Sequence, residues 1–154
     1  MKITDIINTN ERFENLKVGE FFVYDGDYYM KISNSFTDFR AKDYNTIGLR
    51  EGNLQYVPGY QSIVKINNGL FEGINEYTVP NPNFEKGVRI DYLMERDPGE
   101  VFFLLGDTYI MADVHHNDDN ILCVNLKTGT LTAVSKYYII INLTDSVEFK
   151  AVKE

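Results

Sequence analysis

The sequence predicts a mainly β protein built from two tandem small modules, each an SH3-like barrel or β-meander of about five short strands, arising by internal duplication. Three observations carry this reading. The chain resembles itself at an offset of 80 residues and then of 77, apolar and polar residues alternate over short runs, and Gly-containing turn dipeptides separate those runs.

Residues 19–32 (G-E-F-F-V-Y-D-G-D-Y-Y-M-K-I) lie over residues 99–112 (G-E-V-F-F-L-L-G-D-T-Y-I-M-A) with six identities in 14 positions. Chance alone supplies about one identity in such a window. With the offset reduced by three, Leu49, Gly52, Leu54 and Val57 fall on Leu126, Gly129, Leu131 and Val134, and Ile63-Val64 meets Ile140-Ile141.

Within each copy the elements follow in order. Residues 21–24 and 28–32 read as strands around Asp25-Gly26, a dipeptide that accepts the positive φ angles of a two-residue hairpin turn. The second copy keeps the glycine as Gly106 but has Leu105 in place of Asp25, so the shared requirement lies in the backbone. A second hairpin turns at Glu51-Gly52 and again at Thr128-Gly129, and a last strand is expected over 62–66 and 138–143. Short segments ahead of each module, 10–16 and 90–95, read as helical turns, the first with Asn10 as N-cap. Barrel closure is expected to protect the apolar run Tyr137-Tyr138-Ile139-Ile140-Ile141 from edge pairing.

Between the copies, Pro80 and Pro82 with flanking glycines mark a connection. The expected division is a first module over 1–72 with its core at 17–67, a linker over 73–90, and a second module over 91–154 with its core at 98–149.

Composition narrows the functional classes. The 11 Tyr and 10 Phe supply a core, and the net charge of −8 disfavours direct nucleic-acid binding, which needs clustered cations to release counterions. A single cysteine, Cys123, and the absence of a signal-type or membrane-spanning apolar run lead to the expectation of a cytoplasmic protein with no membrane partner. The adjacent His115 and His116 would point to opposite faces of a strand, which leaves no closed metal site, and no nucleophile, phosphate-binding or metalloprotease motif is present. Asp27 and Asp107 recur just after a turn glycine, where an Asp side chain serves neighbouring backbone N–H groups. No catalytic residue, metal or cofactor is expected, and the protein reads as non-enzymatic.

Function is expected where the copies differ. The first copy carries a longer loop with Phe36, Phe39 and Tyr44 interleaved with Arg40, the composition of a recognition surface. Residues 11–72 hold nine acids and seven bases, while residues 91–150 hold ten acids and four bases, so the acidic excess belongs to the second copy. Glu95, Asp97, Asp113, Asp118 and Asp119 are its candidate partner-binding acids, suited to a basic protein surface or, at the extreme, to imitation of nucleic-acid phosphates.

The pattern G-E-x-F, a turn glycine, Y-Y-M-K-I, then L-R-E-G and L-x-x-V resembles a repeat of small bacteriophage-encoded accessory proteins. It is carried by Gly19, Phe22, Tyr29, Met30, Lys31 and Gly52, and the second copy departs from it at Met111 and Ala112. The resemblance implies an accessory protein that binds and inhibits a host protein in the host cytoplasm, such as a component of a defence or nucleic-acid-processing complex. Alternative readings are a virion structural or assembly adaptor, and a nucleotide or small-ligand binder using a groove between the modules.

Overall fold

Short runs rich in Phe, Tyr, Ile and Val, each broken by Gly or Asn after four to nine residues, leave the chain little choice but strands joined by tight turns. The computed structural model describes residues 2–3, 7–38, 41–67, 69–72, 89–143 and 147–151. The first half contains β1 (Lys2–Ile3), β2 (Ile7–Arg12), β3 (Phe21–Tyr24), β4 (Asp27–Lys31), β5 (Thr46–Gly48), β6 (Leu54–Gln55), β7 (Ser62–Asn67) and β8 (Gly69–Glu72). The second repeats the series as β9 (Arg89–Tyr92), β10 (Val101–Leu104), β11 (Asp107–His115), β12 (Asn120–Asn125), β13 (Leu131–Ser135), β14 (Ile139–Asn142) and β15 (Glu148–Ala151).

The duplication extends to topology. One six-stranded sheet has the order β2-β7-β3-β4-β5-β6 and the other, read from its far end, β9-β14-β10-β11-β12-β13, every ladder being antiparallel. Each therefore has one strand more than the five expected, because β2 and β9 add to the outer edges. Among the described residues no ladder joins β6 to β2 or β13 to β9.

The segments read as helical turns are three-residue 3-10 turns, Phe13–Asn15 and Leu93–Glu95. Asn10 is not an N-cap. It lies inside β2, paired with Val64, and neither turn has a side-chain cap. Extended pairing with β7 satisfies this backbone better than a short helix, whose nucleation costs more than one turn returns. Lys31 instead secures the first turn from below, its Nζ donating to the Leu16 carbonyl at 2.7 Å and lying 4.7 Å from the Phe13 ring centroid.

Three cores result. One face of the first sheet closes over Phe13, Leu16, Phe22, Tyr29, Val57 and Ile63. The equivalent face of the second closes over Leu93, Phe102, Leu104, Met111, Ile121, Cys123, Val134 and Ile140. Phe22 stacks on Tyr29 at 5.6 Å and Phe102 on Tyr109 at 5.4 Å, the same contact made twice. The opposite faces of both sheets meet in a single larger core that includes Phe21, Met30, Ile47, Phe103, Ile110 and Leu122.

A third sheet, with no counterpart in the sequence expectation, seals that shared core. Its order is β1-β15-β8, with β8 and β15 antiparallel and Phe71 opposite Phe149. Both rings are buried and pack on Phe21. The first module, the second module and the chain's two outermost described strands are thus closed around one interior.

Two related crossings lock the modules. The Ser33 N–H donates to the Gly129 carbonyl and the Asp113 N–H to the Gly52 carbonyl, both at 2.9 Å, and Ser33 and Asp113 are equivalent in the duplication. The Leu131 N–H then donates to the Ser33 carbonyl, whereas the equivalent Leu54 N–H donates to Asp113 Oδ1 at 3.0 Å. Gly52 belongs to a hairpin as expected, but its absent side chain also admits the other module. A Cβ there would stand 2.2 Å from the Met111 carbonyl oxygen and 2.5 Å from the Gly99 nitrogen.

Candidate functional site

Because the two sheets share strand order and register, positions on the strands of one have counterparts on the other. A clear chemical divergence lies on the outer end of the face that elsewhere forms the shared core. In the first module β2, β7 and β3 present two rows there. Asn10, Val64 and Val23 form one; Arg12 and Ser62 form the other, with Asp25 at its end on the β3–β4 turn. These residues line an open cleft of about 730 Å³ together with Glu11, Tyr24, Gly26 and Ile63.

In the second module the same two rows are Ile90, Ile141 and Phe103, then Tyr92 and Ile139, with Leu105 at the level of Ile139 on the β10–β11 turn. Every polar residue of the first module's rows has become apolar. Ile90 is 52% exposed, Tyr92 46%, Ile139 58% and Leu105 76%, so these side chains are displayed and not buried. Single exposed hydrophobics are ordinary, whereas a contiguous group on a rigid sheet marks an interaction site. Met94, Tyr137 and Tyr138, also exposed, follow directly on the same two chain segments.

β9 is braced from the side of the sheet opposite the apolar rows, because Asp91 alternates with Ile90 and Tyr92. Arg96 holds Asp91 Oδ2 at 2.7 Å, and Asp91 Oδ1 accepts its neighbour Tyr92's N–H at 2.9 Å. That bond occupies a donor on the outer edge of β9, as Glu11 Oε1 does for Arg12 on β2 at 3.0 Å. Edge-to-edge strand addition is disfavoured at both places. The exposed Glu95 follows Met94, and Tyr137 donates its hydroxyl to Asp119 Oδ1 at 3.1 Å, tying the β11–β12 turn to the segment that leads into β14.

The structure distributes the sequence-predicted site residues unevenly. Glu95, Asp97, Asp118 and Asp119 are exposed on the second module, with Glu95 and Asp119 nearest in connectivity to the apolar rows. Asp113 is exposed too, but one carboxylate oxygen serves the intermodule crossing. Phe36 and Tyr44 are half-buried and pack against the shared core, and Phe36 lies 5.0 Å from the His116 ring. They cover a flank of the molecule, because the longer first-module loop spans the junction to the β11–β12 turn. Phe39 and Arg40 lie outside the described residues.

Other reactive groups have structural partners. Asp27 Oδ1 accepts the Tyr28 N–H at 2.8 Å and faces Arg50 at 3.4 Å. Glu20 accepts the Lys17 N–H at 2.7 Å and pairs with Lys65 at 2.9 Å. Cys123 is buried, and burial pushes its thiol far above the ordinary range, so it stays protonated and unreactive. His116 Nδ1 lies 3.4 Å from Asp38 Oδ2, and among the described residues no group of three or more His, Cys, Asp or Glu is placed to hold a metal ion. No helix among the described residues is long and apolar enough to cross a membrane.

No protein-family model matches the chain, and no curated protein or solved structure matches it either.

Proposed function

We propose that this is a non-enzymatic binding protein that docks on another protein through the outer face of its second module and blocks that protein's action. The observation that carries the proposal is the wholesale replacement of Asn10, Arg12, Ser62 and Asp25 by Ile90, Tyr92, Ile139 and Leu105 at equivalent positions of one fold. Folding does not require these apolar residues, since the first module makes the same strands without them. The apolar face together with the exposed acids Glu95 and Asp119 of the same module fits a partner that combines an apolar patch with Lys and Arg, the charges favouring encounter and the apolar face supplying affinity.

The resemblance of the repeat to bacteriophage accessory proteins supports a host protein as the partner, of the defence or nucleic-acid-processing kind. The test is in-cell crosslinking of the tagged protein in bacteria, followed by mass spectrometry, with Ile139→Arg and the equivalent Ser62→Arg in parallel. A partner recovered with wild type and Ser62→Arg but reduced at least tenfold with Ile139→Arg is the expected result. Equal recovery with both variants, or no specific partner at physiological salt, overturns the proposal.

A further inference from the structure

Independently of the docking face, we infer that the cleft of the first module is a site for a small zwitterion of the amino-acid or short-peptide class, its carboxylate held at Arg12 and Ser62 and its ammonium at Asp25. The cleft exists because the sheet forks. The β3–β7 ladder ends at Val23 opposite Val64, whereas β2–β7 continues to Arg12 opposite Ser62 and β3–β4 to Tyr24 opposite Asp27. Beyond the two valines the strand pairs part as two arms. The space between the arms is the open volume of about 730 Å³, a size that suits a small ligand.

Each arm brings its own chemistry. The Phe13 N–H donates to the Gln61 carbonyl at 2.9 Å, so by the alternation of an antiparallel ladder the Ser62 N–H points away from β2 and into the fork. It has no hydrogen-bond partner among the described residues. Arg12 stands beside Ser62 on the same face, its guanidinium 3.7 Å from Glu14 with both side chains exposed. With the Ser62 hydroxyl and the Asn10 amide, these groups make one arm a set of donors for a carboxylate. Glu11 also lines the cleft, but its carboxylate is engaged by the Arg12 N–H at 3.0 Å and the Asn15 amide at 2.8 Å. On the other arm Asp25 sits at the hairpin tip with φ +49, a conformation that Asp accepts more readily than Leu105, which holds the same place in the second module with φ +50. Its carboxylate is the acceptor for an ammonium, and Val23 and Val64 give the fork an apolar floor for the ligand's side chain. The second module, with Ile90, Tyr92, Ile139 and Leu105 at the equivalent places, offers no such set of charged and polar side chains.

The inference is tested by titrating the isotope-labelled full chain with the dipeptide glycyl-leucine, followed by amide NMR, against its N-acetyl and C-amide derivatives. Glycyl-leucine is expected to shift the Val23, Gly26 and Ser62 amides and to leave the equivalent Phe103, Gly106 and Ile139 amides in place. Each capped derivative should bind at least threefold more weakly. Arg12→Gln should bring glycyl-leucine and its C-amide within twofold of each other, and Asp25→Asn should do the same for glycyl-leucine and its N-acetyl form. An unmoved Ser62 amide overturns the site, as do capped derivatives that bind as tightly as the free dipeptide, a comparison made on wild type that needs neither variant to fold. A preference for both free ends that survives the two substitutions overturns it as well.

Discussion

The two modules share strand order, hairpin turns and a stacked Phe–Tyr pair, yet their outer rows have opposite chemistry: Asn10, Arg12, Ser62 and Asp25 in one, Ile90, Tyr92, Ile139 and Leu105 in the other. The difference separates what the fold needs from what it merely carries. Residues alike in both copies secure turns, cores and crossings. Those that changed sit on a face that folds with either chemistry, which is where selection for a partner can act without loss of structure.

The comparison breaks most severely at the crossings. Gly52→Ala places a methyl group against the Met111 carbonyl and the Gly99 backbone at φ +67, and should destabilise the protein by about 3 to 4 kcal/mol in chemical denaturation. Gly129→Ala meets a movable Val18 methyl group at 2.9 Å and the Gly19 nitrogen at 3.0 Å, so it should cost measurably less. Equal losses would mean that the two crossings are energetically equivalent despite their different spacing.

A smaller effect is expected from making the hairpin tips alike. Asp25→Leu copies the second module's turn into the first and should cost about 1 kcal/mol by thermal denaturation, because Leu tolerates the left-handed region less well than Asp. No change would remove the case that Leu105 is strained.

Smaller again is a pH effect at Glu20. Burial acts to raise the Glu20 carboxyl, but Lys65 and the Lys17 N–H outweigh it and hold the group below the ordinary glutamate range. A carboxyl depressed in the folded state contributes stability above its unfolded pKa and loses it as pH falls through the folded value. Glu20→Gln should therefore destabilise by about 0.5 kcal/mol at pH 7, and the difference from wild type should shrink below about pH 4.5. A difference that persists at pH 3 would assign the effect to packing.

The smallest change in stability should come from transplanting the polar pair. Tyr92→Arg with Ile139→Ser reproduces Arg12 and Ser62, and should alter stability by no more than about 0.5 kcal/mol while clearly reducing retention on a hydrophobic column. A large loss of stability would mean that the face is a structural element.

Much of this architecture is written in local chemistry. Asp25-Gly26 announces a hairpin, alternation places Phe22 and Tyr29 on one face, and the recurrence of Gly52 as Gly129 marks a constraint. The reach of that constraint is invisible locally, because the contact of Gly52 with Gly99 spans two modules. Strands β1, β8 and β15 escape notice for a similar reason, their pairings joining distant parts of the chain. Asn10 suits a helix cap in isolation, and only its pairing with Val64 decides otherwise.

The docking face has a subtler history. Tyr137-Tyr138-Ile139-Ile140-Ile141 looks like a strand to be hidden, and only Ile140 is fully buried. The signal was present in the duplication itself: the offsets that align the glycines also align Ser62 with Ile139 and Asp25 with Leu105. Polar residues exchanged for apolar ones at matched positions point to an exposed face, since the first copy shows that those positions tolerate water. The aromatic loop misleads in the opposite direction, because Phe36 and Tyr44 find cover only once the second module is in place.

Strand β1 lies parallel to β15, with Lys2 beside Glu148 and Ile3 beside Phe149. During synthesis the first of these residues leaves the ribosome long before the last exists. The third sheet therefore cannot close until residues 148–151 have been made, and Phe21 and Phe71 wait without that cover until Phe149 arrives. Such a chain completes its shared core late, and the interval before then is when it most needs protection from aggregation.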